Sequence, residues 1–417
     1  TFCLPADALI YAERGPVRIV DIKPGEMVWS RRDDGELVLS RVVRVAESGI
    51  DPILTIKTEN RTLRVNARHG VLVRRPYLRP LLPGETGGVN KDGRKFRKEW
   101  RTEYVPAGEL KVGDTIVQLA RTPDTGKREA PTRIATEEFM EFLGLYLGDG
   151  WKSHNCVSIA RAKDARYMDH FRETIPQLFT RFDGGNGRGD RDNVKRAPVT
   201  LVEEERNTKF SSVEASRELD ELGLSGTART KRVPEWVFGM ADDLKLAFLR
   251  GFLEADGHVD KQGRASIFSV NLPMLEQLRH LAMSIGIKVT NITTTSGFTI
   301  LPNGRETEFT MHTFTISDPG DVSRILPNDP IDRARAFNGK PSGRKGRNYP
   351  RYGGKGFDER YTALARIVSI EECEPEPVYD MEVEATHSFV ADGVIVHNSN
   401  IEHQSIEFVQ DCIRPRA

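Results

Sequence analysis

Hydrophobic and polar residues alternate along both ends of the chain. Short alternating runs, such as VRIVDI and ILTIKT, fill residues 3–75 and 104–120 and are separated by Gly, Pro, Asp and Asn. This pattern is typical of antiparallel strands. It returns after residue 362 in ALARIVSI, VYDMEVE and VIVH, where Asp392-Gly393 predicts the turn of a last hairpin. The two segments together predict one all-β domain that carries an insertion.

The insertion follows a helical period. EEFMEFLGLYLGDG predicts a helix that starts after Thr136 as N-cap and buries one apolar face: Phe139, Leu143, Tyr146 and Leu147. LRGFLEADG, residues 249–257, repeats this pattern. Each segment carries small residues four apart, which lets two helices cross closely: Gly144 and Gly148, Gly251 and Ala255. Gly150 and Gly257 are expected to end these helices with positive φ. Mixed helix and strand to about residue 335 predicts an α+β block with an internal repeat.

Length and composition restrict the class of protein. The chain has 417 residues, enough for two or three domains. Its 61 basic and 61 acidic side chains give zero net charge, which by itself argues against a nucleic-acid partner. Four cysteines without CxxC spacing favour a reducing, cytoplasmic location. No apolar run approaches the roughly 20 residues that span a bilayer, so we expect no membrane partner.

Two basic stretches change that picture. From Arg74 to Arg101 there are nine basic residues and three acidic ones, and from Arg333 to Phe357 there are eight basic residues and no acid. Both contain aromatic residues and glycines, which favours contact with DNA phosphates over a solvated loop. The first stretch is predicted to be either a DNA-recognition arm or a long loop. The predicted DNA-binding residues are Arg74, Arg75, Lys95, Arg97, Lys98, Arg344, Lys345 and Arg347.

Reactive side chains stand at both ends of the β segments. The side-chain nitrogen of Asn398 can attack its own main-chain carbonyl, which forms a succinimide and cleaves the bond to Ser399. The neighbouring His397 can polarise that amide. At the other end, Cys3 can attack the carbonyl of Phe2 and convert an amide into a thioester. That step is uphill and needs hydrogen-bond donors.

His69 supplies such a donor at a predicted strand end, and the three sites together resemble an intein, a self-splicing protein of the Hint fold. The similar segments are CLPADALIYAERGPVRIVDIKPGEMVWS, RVNARHGVLV and EATHSFVADGVIVHNS. The resemblance implies a horseshoe-like all-β splicing domain that needs no cofactor. The implied roles are Cys3 as first nucleophile, His69 as activator of the Phe2-Cys3 bond, Asp380 as acid/base, His387 and His397 as aids to cyclisation, Asn398 as the residue that cyclises, and Ser399 as second nucleophile. Asn66 stands where the family has Thr and is expected to keep a hydrogen-bonding role.

Asp149 and Asp256 end the two predicted helices of the insertion, where the helix macrodipole disfavours negative charge. If the helices lie side by side, the carboxylates converge and repel each other unless a cation lies between them. Hard oxygen ligands suit Mg²⁺, which also binds phosphate oxygens and water. The pair therefore predicts a Mg²⁺ site for phosphodiester cleavage.

The same helices resemble the repeated motif of single-chain LAGLIDADG homing endonucleases, pseudo-symmetric domains often nested in inteins. Asp149 and Asp256 match the metal-binding acid of each copy. KRVPEWVFGMADDLKLAFLRGFLEADG also resembles the block before the second motif, which implies Lys231 as the lysine of the catalytic pocket. Lys288 and Arg305 are candidates for its counterpart. The resemblance implies double-stranded DNA as partner, with the target at the extein-coding junction.

These observations predict a multidomain chain. The boundaries are flanks at 1–2 and 399–417, a splicing domain at 3–128 and 362–398 with 75–103 as the DNA-recognition insertion, an endonuclease at 129–335 and a basic linker at 336–361. The second flank, SNIEHQSIEFVQDCIRPRA, resembles part of a tailed-phage portal protein, which implies a phage-encoded protein in a bacterial host. We expect a monomer that splices its own exteins. Two alternatives stay open: a Hint domain that cleaves without ligation, and a central block that binds DNA without cleaving it.

Overall fold

The protein divides into two compact units. The computed structural model describes residues 2–89, 93, 95–160, 165–183, 195–300, 304–326 and 360–398. Unit 1 comprises Thr1–Pro123 and Lys345–Ala417, and unit 2 comprises Asp124–Arg344. Among the residues described, none of the helices combines the length and the apolar character needed to cross a bilayer. The chain is therefore multidomain and strand-rich, and the β-patterned ends lie in a different unit from the central block.

Unit 1 begins with strands. These are β1 (Leu4–Pro5), β2 (Leu9–Ala12), β3 (Gly15–Arg18), β4 (Met27–Arg31), β5 (Leu37–Thr58), β6 (Thr62–Asn66), β7 (Gly70–Pro80), β8 (Gly88–Val89), β9 (Lys95–Pro106) and β10 (Thr115–Leu119). Strands β7 and β9 pair from Gly70↔Pro106 to Pro80↔Phe96. The basic stretch, which the sequence leaves open between arm and loop, thus contains a hairpin of β7 and β9, called the arm below.

Unit 2 mixes helices and strands. Its first half contains α1 (Glu137–Asp149), β11 (Gly150–Ser153), β12 (Cys156–Ala160), α2 (Ala165–Leu178), β13 (Thr180–Asp183), β14 (Lys195–Pro198), β15 (Val202–Glu203), β16 (Asn207–Ser211) and α3 (Val213–Glu221). Its second half contains α4 (Glu235–Phe238), α5 (Asp242–Asp256), β17 (Gly257–Val259), β18 (Ala265–Ser269), α6 (Leu272–Ser284), β19 (Thr293–Ile300), β20 (Glu306–Ile316) and α7 (Pro319–Ile325).

The chain then returns to unit 1 with β21 (Thr362–Val383), β22 (Ser388–Ala391) and β23 (Val394–His397). Strand β10, the last before unit 2, pairs antiparallel with β21, the first after it, and Leu119 lies opposite Thr362. The chain therefore leaves and re-enters unit 1 at neighbouring points, as expected for an insertion into a loop between two paired strands. The predicted hairpin turn is confirmed, because Asp392 and Gly393 both have positive φ and join β22 to β23.

The strands of unit 1 form one sheet. Their order is β1-β21-β5-β4-β2-β22-β23-β10-β7-β9-β8, with β3 beside β2 and β6 beside β5. The long strands β5 and β21 pair along most of their length, with bulges that let this ribbon bend. Strand β1 joins β21 at one edge, where Leu4 lies opposite Tyr379, and β23 contacts β7 through Val396↔Val71. The start of the first β segment and the end of the second are thereby both part of this sheet.

Unit 2 contains the same arrangement twice. Each long helix runs directly into a strand, α1 into β11 and α5 into β17. The sheets that follow have matching orders, β11-β12-β16-β15 and β17-β18-β20-β19. Helix α1 starts as predicted, because the Thr136 hydroxyl accepts a hydrogen bond from Phe139 N. Side chains from both halves share one buried apolar core.

Helices α1 and α5 cross at their small residues. A Cβ built on Gly144 would lie 1.9 Å from Phe248 O, one on Gly251 would lie 1.8 Å from Glu141 O, and one on Gly148 would lie 2.5 Å from the Ala255 Cβ. No methyl group fits at these distances, so glycine is what allows the two backbones to touch. The expectation of a close helix crossing is confirmed.

The expected positive φ at the helix ends is wrong. Gly150 has φ −90° and Gly257 has φ −109°, both extended. Glycine is needed here for space, because a Cβ would lie 2.2 Å from the Tyr146 ring at Gly150 and 2.2 Å from Leu253 O at Gly257. Each helix therefore ends by turning straight into a strand rather than through a left-handed cap.

We predict that Gly251→Ala destabilises unit 2 by about 3 kcal/mol, because the added methyl must push apart two helix backbones in a filled core. Among the described residues every α-helix lies in unit 2. The helical circular dichroism signal, measured as urea is added, therefore reports the unfolding of unit 2. Gly320→Ala in α7 is the control, since its methyl meets only the end of the Asp318 side chain at 3.1 Å. Equal urea midpoints for the two variants would contradict the close crossing.

Candidate functional site

The turn between β6 and β7 holds two predicted site residues against the main chain of Cys3. Asn66 Oδ1 accepts a hydrogen bond from Cys3 N at 3.2 Å, and Asn66 N donates to Cys3 O at 3.1 Å. His69 Nδ1 lies 3.2 Å from the same carbonyl oxygen, so this nitrogen carries the proton. Both the N–H and the C=O of Cys3 are thus engaged. The Cys3 residue itself is 2 % exposed, in an apolar cluster with Ile53 and Val378.

His69 is an uncharged imidazole. The residue is 0 % exposed, and this burial lowers the pKa of its ring to about 3. The hydrogen bond to the Cys3 carbonyl opposes this shift, the charge of His397 adds to it, and a hydrogen bond to the His397 main chain opposes it. A neutral ring that donates from Nδ1 keeps its other nitrogen free of a proton at neutral pH.

The depressed pKa predicts a pH dependence of stability. The folded state binds fewer protons at His69 than the unfolded chain between about pH 3 and its ordinary value of 6.5, so the free energy of unfolding should fall as pH drops below 6.5. In a Cys3→Ala/Asn398→Ala background, this fall should exceed that of the matching His69→Gln variant, with a slope of up to about 1.4 kcal/mol per pH unit. Parallel curves in urea titrations from pH 7.5 to 4.5 would show that His69 is not buried as a neutral ring.

The last hairpin delivers His397 and Asn398 to the same region. Asn398 is 1 % exposed, its N donates to His387 O at 3.0 Å and its Nδ2 donates to Val383 O at 3.1 Å. His397 Nδ1 lies 2.5 Å from Asn398 O and donates to it. The carbonyl that the Asn398 side chain would attack is therefore already polarised by an imidazole.

The two chain junctions meet around Phe2. Its ring centroid lies 6.0 Å from that of His69 and 5.4 Å from that of His397. Gly70 allows this approach, because a Cβ there would lie 3.0 Å from the His397 Cβ. The structure thus brings together Phe2, Cys3, Asn66, His69, His397 and Asn398, as the sequence predicts.

The remaining predicted residues of this centre are placed differently. Asp380 follows Tyr379 on β21, and one further step of the Leu4↔Tyr379 register would set it opposite Cys3. His387 is exposed, and its backbone has a positive φ of 50°. Its main-chain carbonyl accepts the hydrogen bond from Asn398 N. The help of its imidazole in cyclisation stays a prediction. Ser399 lies outside the described residues.

Two residues that the sequence analysis missed contact this centre. Asp51 Oδ2 accepts a hydrogen bond from Asn66 Nδ2 at 2.9 Å. Tyr104, near the base of the arm, packs its ring against His397 with centroids 4.8 Å apart. Neither position is near a reactive residue in sequence. Only the strand order, which sets β7 beside β23, brings Tyr104 there.

A second centre lies in unit 2 where α1 and α5 end. Asp149 and Asp256 are the last residues of these helices, as predicted, and both are partly buried. The approach at Gly148 sets Asp256 Oδ2 3.5 Å from the position of a Cβ on that glycine. Both carboxylates raise the pKa of Lys231. The two acids therefore act on a single ammonium group and share one site.

Lys231 is held at the end of α1. The residue is 2 % exposed, and its Nζ donates to three carbonyl oxygens, those of Tyr146 at 2.7 Å, Leu147 at 3.1 Å and Gly150 at 2.5 Å. Burial lowers its pKa to about 8, against the effect of the two carboxylates. The ammonium thus adds hydrogen bonds to carbonyls at the helix end and offsets the charge of the acids.

The donor set of this centre suits Mg²⁺. No group of three His, Cys, Asp or Glu that could enclose a metal occurs among the described residues. Mg²⁺ is commonly held by one or two carboxylates while water and phosphate oxygens fill the other positions, so Asp149 and Asp256 fit the ion. Of the candidate second basic residues, Lys288 is exposed and pairs with Asp318 at 3.8 Å, and Arg305 is exposed.

The arm carries the first group of predicted DNA contacts. Lys95, Arg97 and Lys98 are exposed, whereas Arg75 pairs with Asp114 at 2.6 Å. Arg74 is 2 % exposed and donates to Thr102, so it is corrected to an interior residue because its guanidinium cannot reach a phosphate. The other predicted contacts lie outside the described residues: Arg344, Lys345 and Arg347.

Comparison with known proteins finds a family match in unit 2. Residues 243–307, which include α5 and Asp256, match a family model described as a LAGLIDADG-like domain. Thus, the second half of unit 2 carries a domain of this kind. The resemblance of residues 399–417 to a portal protein stays a prediction.

Longer proteins match most of the chain. An iron-sulfur cluster assembly SufBD family protein of Mycobacterium leprae is 27 % identical over 430 residues, which cover 96 % of this chain and 45 % of that protein. A DNA polymerase of Thermococcus sp. (strain GE8) is 30 % identical over 326 residues, 75 % of this chain and 18 % of the polymerase. The chain spans less than half the length of these curated relatives. Among solved structures, a mutant of the Ssp DnaB mini-intein is similar with a TM-score of 0.31 at 12 % identity, covering 96 % of this chain and 100 % of that one.

Proposed function

We propose that residues 3–398 are an intein, which excises itself from a longer chain and ligates the two flanks, and that its splicing centre lies in unit 1. The observation that carries the proposal is the meeting of the two junctions: Phe2 contacts both His69 and His397, while Cys3 and Asn398 are buried beside them. A cysteine at one junction and a His-Asn pair at the other are the groups that two acyl transfers need.

In the first step, Cys3 Sγ attacks the carbonyl carbon of Phe2. The Phe2-Cys3 amide bond breaks, a thioester forms, and the freed amine of Cys3 takes up the thiol proton. Asn66 N and His69 Nδ1 both donate hydrogen bonds to Cys3 O. These bonds hold Cys3, the residue that follows the scissile bond, in place. Holding the nucleophile in place in this way lowers the entropic part of the barrier.

The later steps transfer the chain. Ser399 Oγ attacks the thioester carbon, releases the Cys3 thiol and leaves an ester. Asn398 Nδ2 then attacks its own carbonyl carbon, which breaks the bond to Ser399 and forms the succinimide, while His397 Nδ1–H stabilises the oxyanion. Finally the freed amine of Ser399 attacks the ester carbon, which creates a Phe2-Ser399 peptide bond and restores the hydroxyl. All four steps are acyl and proton transfers within the chain, so we propose them without a cofactor.

For unit 2 we propose a homing endonuclease that cuts double-stranded DNA at the junction where the intein-coding sequence inserts. The LAGLIDADG-like match and the paired carboxylates at the helix crossing support this proposal. Asp149 and Asp256 would hold Mg²⁺, which when bound polarises a phosphate and lowers the pKa of water. Lys231 keeps the end of α1, and so Asp149, in place through its three carbonyl contacts. Exposed Lys95, Arg97 and Lys98 on the arm would add phosphate contacts, and the protein would act as a monomer.

The splicing proposal is tested by thiol cleavage. An Asn398→Ala precursor, which cannot cyclise, should release its N-terminal flank when dithiothreitol intercepts the thioester, and mass spectrometry should find the flank ending at Phe2. An intact precursor after prolonged incubation with thiol would overturn the proposal. The alternative of cleavage without ligation predicts free flanks and no joined product from the unmutated chain.

A further inference from the structure

We propose that Asp51 is a positioning residue for the first splicing step, acting through Asn66. This inference rests on the proposed splicing function. Three groups form a row of hydrogen bonds: Cys3 N donates to Asn66 Oδ1 at 3.2 Å, and Asn66 Nδ2 donates to Asp51 Oδ2 at 2.9 Å. Asp51 touches neither Cys3 nor the bond to Phe2 in this row, so its influence passes through the Asn66 amide.

The Asn66 side chain can work in only one orientation. Its oxygen accepts a hydrogen bond from Cys3 N–H, whereas its NH₂ group, turned toward Cys3, would face a second donor. The residue is 1 % exposed, so water does not compensate for a reversed amide. A carboxylate only accepts, and Asp51 therefore holds the NH₂ end and leaves the oxygen toward Cys3.

The strand register explains how Asp51 reaches this amide. Asn66 pairs with Ile53 of β5, and Asp51 stands two residues earlier on the same strand. Residues two apart project from the same face of a strand, so Asp51 and Ile53 lie on the face that Cys3 also contacts through Ile53. The three side chains are thus fixed by sheet pairing rather than by a loop.

The hydrogen bonds from Cys3 N through Asn66 to Asp51 assist the first splicing step. When Cys3 Sγ attacks the Phe2 carbonyl, the Cys3 nitrogen leaves as an amine and takes up a proton. A hydrogen bond from that nitrogen to Asn66 Oδ1 strengthens as positive charge develops on the nitrogen. It also prevents rotation of the Cys3 residue during attack. Loss of Asp51 frees the amide to reverse and removes both effects.

The row also accounts for the unusual Asn66. A threonine hydroxyl at this position both donates and accepts, and it rotates to suit its partner, so it needs no second group to orient it. An asparagine amide does need one. Asp51 therefore gives the Asn66 side chain the orientation that a Thr hydroxyl finds by rotation. Mutation of Asp51 should have no further effect once the Asn66 amide is removed.

The test measures the two junctions separately in full-length precursors. N-terminal cleavage by dithiothreitol is followed in an Asn398→Ala background, and C-terminal cleavage is followed in a Cys3→Ala background. Asp51→Ala should slow the N-terminal cleavage about tenfold and leave C-terminal cleavage unchanged. Glu47→Ala, which removes an exposed acid from the same strand, is the control and should change neither rate. Asp51→Asn, which can still accept through its own oxygen, should recover part of the N-terminal rate.

A double-mutant comparison decides whether Asp51 acts through Asn66. Asn66→Ala should slow the N-terminal step, and adding Asp51→Ala should slow it no further. Additive losses, or equal losses at both junctions in Asp51→Ala alone, would overturn the inference by showing general damage to unit 1. An unchanged N-terminal rate in Asp51→Ala would overturn it as well. In each of these cases the splicing proposal itself survives, because it is tested separately by thiol cleavage of the Asn398→Ala precursor with Asp51 intact.

Discussion

Asn398→Ala is expected to abolish release of the C-terminal flank while the N-terminal junction still reacts. The alanine removes the side-chain nitrogen that would attack the Asn398 carbonyl, and the burial of this residue keeps water from replacing it. The rate of C-terminal cleavage should fall by at least about 10³-fold, as is usual for removal of a nucleophile. Gel electrophoresis and intact mass should show a branched chain or a chain that lacks only its N-terminal flank.

Cys3→Ala should give the complementary result. Without the thiol no thioester forms, so the N-terminal flank stays attached, whereas Asn398 can still cyclise and release the C-terminal flank. Cys373→Ala is the matched control, because this second cysteine of unit 1 bonds to Thr55 Oγ1 at 3.2 Å and has no proposed part in the chemistry. Full ligation in Cys3→Ala would contradict the proposed order of steps.

The second large effect is expected in unit 2. Asp149→Asn should reduce Mg²⁺-dependent DNA cleavage by about a hundredfold or more, because it removes one of the two carboxylates available to the ion. The substrate is a plasmid that carries the uninterrupted coding sequence in which the codons of Phe2 and Ser399 adjoin. Linear product is measured with and without added MgCl₂. DNA binding, measured by gel shift in Ca²⁺, should persist, since the strands and the arm are unchanged.

Asp243→Asn is the control for this experiment. Asp243 lies in the first turn of α5, at the opposite end of the helix from Asp256, and pairs with Arg128. Its loss should leave cleavage within about twofold of the parent rate. Cleavage that survives unchanged in Asp149→Asn would remove the proposed metal pair, and binding without cleavage in the parent protein would favour the DNA-binding alternative.

Sequence patterns predicted the elements whose cause is local. The Thr136 cap, the Asp392-Gly393 turn and the small residues of α1 each act within a few positions, so the sequence displays them directly. The sequence does not decide between an arm and a loop here, because alternation in KFRKEWRTEYVP is blurred by its charged residues. Its pairing with β7 is visible only in the register of the two strands.

The missing parts of the candidate site depend on long-range pairing. Asp51 contacts Asn66 because β5 lies beside β6, and Tyr104 contacts His397 because the arm begins next to β23. No local pattern marks either residue. The error at Arg74 has the same origin, because its burial follows from the sheet, which neither charge nor residue type indicates.

Intact mass spectrometry of the purified precursor tests self-excision most directly. After incubation without thiol, the account predicts two new species: a peptide in which Phe2 is followed directly by Ser399, and an excised chain that begins at Cys3 and ends in the succinimide of Asn398. Two separate flanks with no joined peptide would contradict it. So would a precursor that stays whole while the Asn398→Ala and Cys3→Ala variants stay whole as well.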